Sequence, residues 1–188
     1  NIEMFVSCFD TESLKKIKPL KFRYNKVPSA LISNEFFLKK VAKEKKHTFI
    51  STGMCNLKTI KNAIKIFKLE KCKFTIMHCV SLYPCPEELL NLSLIGYYKK
   101  KFKCDVGYSG HESTVSPSIY AYILGAKVIE RHITLDRALW GTDQSASLSS
   151  KGMEQLVSII KKFNIVRGRP KKIFLPKEKD MLTKFKYW

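Results

Sequence analysis

The chain has 188 residues and a formal net charge of +19, from 35 lysines and arginines against 16 aspartates and glutamates. With 45% hydrophobic and 27% charged residues, its composition is that of one globular domain and excludes a disordered segment. No run approaches the roughly 18 unbroken apolar residues of a membrane span, and the start, NIEMFVSCFD, lacks the basic-then-apolar layout of a secretory leader.

The chain enters directly into an apolar run at 3–8, which predicts a strand and implies that upstream sequence is missing. Further runs rich in Val, Ile, Phe and Thr predict strands near 22–27, 47–52, 73–80, 104–108 and 127–134. Helical patterns lie between them. NEFFLKKVAKE offers Asn34 as a cap, then Phe37, Leu38, Val41 and Ala42 on one stripe. In the next, Asn56 precedes Leu57, Ile60, Ala63, Ile64 and Phe67 at spacings of three and four. SPSIYAYILGA opens on Ser116 and Pro117 and closes on Gly125, as a capped helix does. SSKGMEQLVSIIKKFN places Met153, Leu156, Val157, Ile160 and Phe163 on one face. The remainder, from Val166 onward, is basic and broken by prolines; residues 1–165 read as the domain and 166–188 as a linker or tail.

Six strand–helix units in alternation predict an α/β fold with a parallel sheet. A (β/α)8 TIM barrel needs eight, so two units are expected to be absent, most naturally from the N-terminus. A doubly wound sheet also accommodates six strands, but no GxGxxG follows the first. The cysteines, at 8, 55, 72, 79, 85 and 104, form no CxxC pair, which predicts free thiols in a reducing, cytoplasmic setting. The lysines are spread over several helices and make no arginine-rich aromatic patch; a solvated outer face is expected rather than a nucleic-acid surface.

Polar residues gather where the strands end, the edge at which parallel α/β folds bind ligands. Strand parity sorts them. Val128, Glu130 and His132 point one way, Ile129, Arg131 and Ile133 the other; Gly107, Ser109 and His111 share a side. His111 and His132 therefore converge from neighbouring strands, a plausible divalent-metal pair flanked by Ser109, Glu112, Glu130 and Asp143. The alternative, two ordinary rim histidines, stays open. His47 is expected at the surface before a strand, and His78 to be structural. Lys26, beside Val27 and Pro28, together with Ser29, Ser51 and Thr52, supplies donors for a phosphate or carboxylate, although a turn role explains the serines equally well.

GYSGHE (107–112), GAKVIERHITLDR (125–137), WGTDQSASL (140–148), FISTGM (49–54) and MHCVSLYPCP (77–86) closely resemble the sialic acid synthases, in order and over about residues 3 to 165. The resemblance implies a TIM barrel that condenses phosphoenolpyruvate with N-acetylmannosamine, or its 6-phosphate, using a divalent metal such as Mn2+, with Mg2+ or Co2+ as alternatives. It makes His111 and His132 the metal ligands. It places phosphoenolpyruvate on Lys26, Ser29, Ser51 and Ser109, with further polar contacts from Ser7 and Ser81, and the amino sugar on Tyr83 and Asp143. His111, His132, Asp143 and Lys26 would carry the catalysis. It also implies a homodimer, a missing C-terminal antifreeze-like domain, and the related legionaminate and pseudaminate synthases as the nearest alternatives; a barrel fragment that binds polyanions is the alternative outside enzymes. Two departures stand out: Ala30 and Leu31 where many relatives have Gly-Glu, and Gln144 where many have His.

Overall fold

A computed structural model describes residues 2–186 and 188. In chain order the elements are α1 (Thr11–Ile17), β1 (Asn25–Val27), α2 (Glu35–Lys43), β2 (Thr48–Ser51), α3 (Leu57–Leu69), β3 (Phe74–Cys79), α4 (Leu94–Phe102), β4 (Val106–Gly110), α5 (Ser116–Ile123), β5 (Ile129–Arg131), α6 (Ser150–Val166) and α7 (Glu178–Phe185). The strands form one sheet in the order β1-β2-β3-β4-β5, every neighbouring pair parallel. Each crossover passes through a helix, except that β5 runs on into a loop before α6.

The helix starts follow local chemistry. The side chains of Asp10, Asn34, Asn56 and Ser149 each accept a hydrogen bond from the backbone N–H three residues on, satisfying donors that the first turn leaves free. α2 buries Phe37, Leu38, Val41 and Ala42, the stripe expected from spacing. α3 buries Ile60, Ala63, Ile64 and Phe67, with Ile66 added and Leu57 left largely exposed. These side chains pack on Val27, Ile50, Ile76, Val106 and Tyr108, the outward residues of the sheet, to make the main core.

The opposite face of the sheet is a second interior, and it is polar. Lys26, Phe49, Ser51, Thr75, Met77, Cys79, Gly107, Ser109 and Glu130 alternate with the core set along their strands. The sheet is curled enough that Lys26 on the first strand reaches Glu130 on the last, Nζ to Oε1 2.6 Å. This is the curvature of a half-barrel, consistent with a partial TIM barrel.

Among the described residues the sheet has five strands, and the expected sixth unit is not confirmed. The run at 3–8 makes a single parallel bridge, Ser7 to Lys26, and is not a strand. The segment touches the sheet at one backbone position, and β1 offers its ladder to β2 on the other side. Phe5 packs on Phe49 with ring centroids 5.0 Å apart, while Ile2 and Met4 stay exposed. α1 and α4 had no expected counterpart; they bury only Leu14, and Ile95 with Tyr98, too few apolar positions to set a period. His47 is not a surface residue. It is half-buried, its Nε2 2.8 Å from Thr75 Oγ1, and packs with Tyr24 and Phe49, because β3 presents a hydroxyl beside it. His78 is buried behind the sheet, 2.7 Å from Leu90 O, as expected of a structural histidine. All six cysteines are free. Among the described residues, no helix is long and apolar enough to cross a membrane.

Candidate active site

The polar interior opens at the carboxyl ends of the strands, and each expected site residue lies there. Lys26 is buried in β1. Ser29 begins the short 3-10 turn after β1, where its Oγ accepts from Gly53 N at 3.0 Å. Ser51 closes β2 and Ser109 sits in β4, both buried. Ser81 and Tyr83 follow β3, His111 follows β4, and His132 follows β5. Ser7 is half-buried at its bridge to Lys26. Asp143 lies on the loop before α6, its Oδ2 3.7 Å from His132 Nδ1.

Contacts tie these residues into one cluster. The rings of His111 and His132 are 5.3 Å apart, and Tyr83 covers both, at 4.3 and 6.3 Å between centroids. The Tyr83–Pro84 peptide bond is cis. Gly53 leaves room for the site's hydroxyls: a Cβ there would displace Ser81 Oγ and Ser29 Oγ and press on Cys79 Sγ.

Burial controls the protonation of the site. It lowers the pKa values of His111 and His132, the latter also through the neighbouring imidazole, so both rings are neutral near pH 7. His111 Nδ1 lies 2.9 Å from Val80 O; a carbonyl only accepts, so this nitrogen carries the proton and Nε2 keeps its lone pair for a ligand. Burial also pushes the Tyr83 phenol up to about 12, keeping it a neutral donor.

Three participants were missed in whole or in part: Glu130 and Glu112 were expected beside the site without their ion-pair partners, and Cys79 was not expected there. Glu130 was legible as a lumen residue by parity with His132, but its partner Lys26 lies 104 residues away and no local pattern names it. Cys79, on the same parity as Ser81, sits at the centre: its Sγ is 3.5 Å from Ser29 Oγ and 3.8 Å from both Ser81 Oγ and His111 Nδ1. The third is Glu112 with Arg131, an ion pair at 2.7 Å directly behind the histidines.

Among the described residues, two buried atoms in the interior have no partner, Ser51 Oγ and Glu130 Oε2. A buried hydroxyl and a buried carboxylate oxygen left unpaired are costly, so such groups mark a place for a polar ligand. As for a metal, no cluster of three or more His, Cys, Asp or Glu side chains suited to one is found among the described residues. The donors that fit are the two neutral imidazoles, which leave most of a coordination shell open to water and substrate oxygens.

A NeuB family model matches residues 1–172. The N,N'-diacetyllegionaminic acid synthase of Campylobacter jejuni is 37% identical over 171 residues, 89% of this chain and 51% of that protein. The human N-acetylneuraminate-9-phosphate synthase is 38% identical over 173 residues, 92% of this chain and 48% of that protein. Among solved structures, the N-acetylneuraminic acid (sialic acid) synthetase of Leptospira borgpetersenii, in complex with citrate, superposes with a TM-score of 0.85 at 32% identity. That match covers 98% of this chain and 65% of that one. The chain thus spans about half the length of the curated relatives it matches.

Proposed function

The chain belongs to the NeuB family, and from that premise we propose that it carries the phosphoenolpyruvate and metal half of a nonulosonate synthase active site. The reaction is condensation of phosphoenolpyruvate with an N-acylated amino sugar, N-acetylmannosamine or its 6-phosphate being the first expectation. The enol carbon attacks the aldehyde of the open-chain sugar, water adds to the resulting oxocarbenium carbon, and C–O cleavage expels phosphate. One observation supports this most: a buried lysine, three buried serines and two neutral imidazoles share one interior in which Ser51 Oγ and Glu130 Oε2 lack partners.

In this reading each residue has a task set by its surroundings. Lys26 faces an anionic substrate with its charge already desolvated and held by Glu130, so little reorganisation is needed on binding. Ser29, Ser51 and Ser109 donate hydroxyls to its carboxylate and phosphate, with Ser7 and Ser81 at the margin. Tyr83, half-exposed over the histidines, and Asp143 at the rim contact the sugar; Asp143 is placed to take a proton from a sugar hydroxyl. His111 and His132 would hold a divalent ion, with Mn2+ first and Mg2+ or Co2+ as alternatives. When bound, that ion would supply Lewis-acid polarisation of the aldehyde.

Near-equal identity to a legionaminic and an N-acetylneuraminate-9-phosphate synthase means overall similarity does not choose the sugar. The deciding experiment measures inorganic phosphate released from phosphoenolpyruvate with Mn2+ and each amino sugar in turn. Release that requires both the sugar and the metal, and is lost in His111→Ala, is expected. Release indifferent to His111, or absent with every sugar while phosphoenolpyruvate still fails to bind, would overturn the reading.

A further inference from the structure

We infer that the buried ion pair between Arg131 and Glu112 is a positioning clamp that sets the two interior histidines against each other, an inference that rests on the metal reading of His111 and His132. The alternation is built into the chain: His111 is followed by Glu112, and His132 is preceded by Arg131. Each histidine therefore enters the interior from a backbone whose next side chain points out of it.

On the outward side the two charges meet at 2.7 Å, their side chains 1% and 0% exposed. Around that pair the guanidinium spans three segments. Nη1 also donates to Thr114 O at 2.8 Å and Ser118 Oγ at 3.0 Å; Nη2 donates to Glu112 O and, at 3.4 Å, to Ala146 O. Glu112 accepts from Tyr108 OH on its other oxygen at 2.8 Å, and from Ser118 Oγ, at 3.2 Å, on the oxygen that faces Arg131. One arginine thus pins the loop after β4 that carries His111, the N-terminal turn of α5, and the loop that carries Asp143 beside His132.

Stability alone accounts poorly for this arrangement. The cost of desolvating two charges offsets most of their attraction, and an apolar pair of equal volume would pack at least as well. Only the planar fork of arginine can hold several carbonyls at fixed angles, which a lysine at the same place could not. Groups hydrogen-bonded to a metal-binding imidazole typically change metal affinity by about 10–100-fold when altered. This pair touches neither ring and acts through the adjoining backbone, so its effect has the same direction and falls at the low end.

The test is Mn2+ binding by wild type, Arg131→Lys, His111→Ala and a core control, Ile60→Val in α3, read by electron paramagnetic resonance of the free ion and paired with thermal melts. Arg131→Lys keeps the charge and loses the fork; it is expected to bind Mn2+ more weakly by about 10-fold, the low end for groups that orient ligands, while Ile60→Val binds as wild type despite its own melting loss. Should Arg131→Lys not fold, Ser118→Ala removes one bond to each partner, and a several-fold weakening is expected there. Wild-type affinity in a folded Arg131→Lys or Ser118→Ala, with affinity lost in His111→Ala, overturns the clamp alone. Affinity unchanged in His111→Ala overturns the metal site and the clamp with it.

Discussion

Lys26 and Glu130 illustrate how a single pair separates stability from chemistry. Each is almost fully enclosed, and removing one leaves the other charged, buried and alone. Lys26→Met is expected to lower the unfolding free energy by about 3–5 kcal/mol in urea titration. The double variant Lys26→Met with Glu130→Leu should recover most of that stability and still release no phosphate. Recovery of both would show that the pair serves the fold only. A second residue-scale effect concerns acid. Burial lowers the pKa of His78, so the unfolded chain takes up its proton first as pH falls. Stability is therefore full above the unfolded value of about 6.5 and is lost progressively as pH falls from there through the depressed folded value. The urea midpoint should be flat from pH 8 to 7 and decline below, with a shallower decline in His78→Gln. Equal slopes in both proteins would remove His78 as the cause.

Among the elements, the caps and one turn carry separable predictions. Asn56→Ala removes the oxygen that accepts from Thr59 N at 3.0 Å and should cost about 1 kcal/mol by urea unfolding, with ligand binding unchanged. Gly53→Ala should do the reverse: its new Cβ presses on Ser29, Ser81 and Cys79, so phosphoenolpyruvate affinity falls by more than the melting temperature predicts. What was legible beforehand follows the range of the interactions. α2 and α3 showed their buried stripes because helix periodicity is local, and parity alone turned His111 and His132 toward one interior. The 3–8 run misled because a short apolar run does not by itself specify a partner, and only Ser7 of it bridges the sheet. His47 misled likewise, since Thr75 and Tyr24 are distant in sequence. Glu112 and Arg131 were read as polar residues near a site; their bond crosses two strands, and no spacing rule anticipates it.

For the whole molecule, the parallel sheet has a well-paired centre and one weakly paired margin. A cleft of about 670 Å³ lies between residues 2–7 and β5, floored by Met153, Leu156, Val157 and Ile160 of α6. Hydrogen exchange should be slowest in β2, β3 and β4 and near the open-chain rate for residues 2–6, which make no ladder beyond the Ser7 bridge. Comparable protection in both regions would show that the segment pairs more fully in solution. The curl that brings the sheet's two margins together has a temporal side as well. The Lys26–Glu130 contact closes a loop of more than a hundred residues, whereas each parallel pairing joins neighbours in the strand order. Non-local contacts must first meet the entropy of closure, so this one belongs late in folding. Glu130→Gln should then speed unfolding and leave the refolding rate nearly unchanged in stopped-flow. During synthesis β1 to β3 and their helices emerge before β5, so the interior gains no charge partner for Lys26 until the fifth strand has emerged. The contact that holds Lys26 in the interior is therefore among the last this sheet can make, whatever order its helices form in.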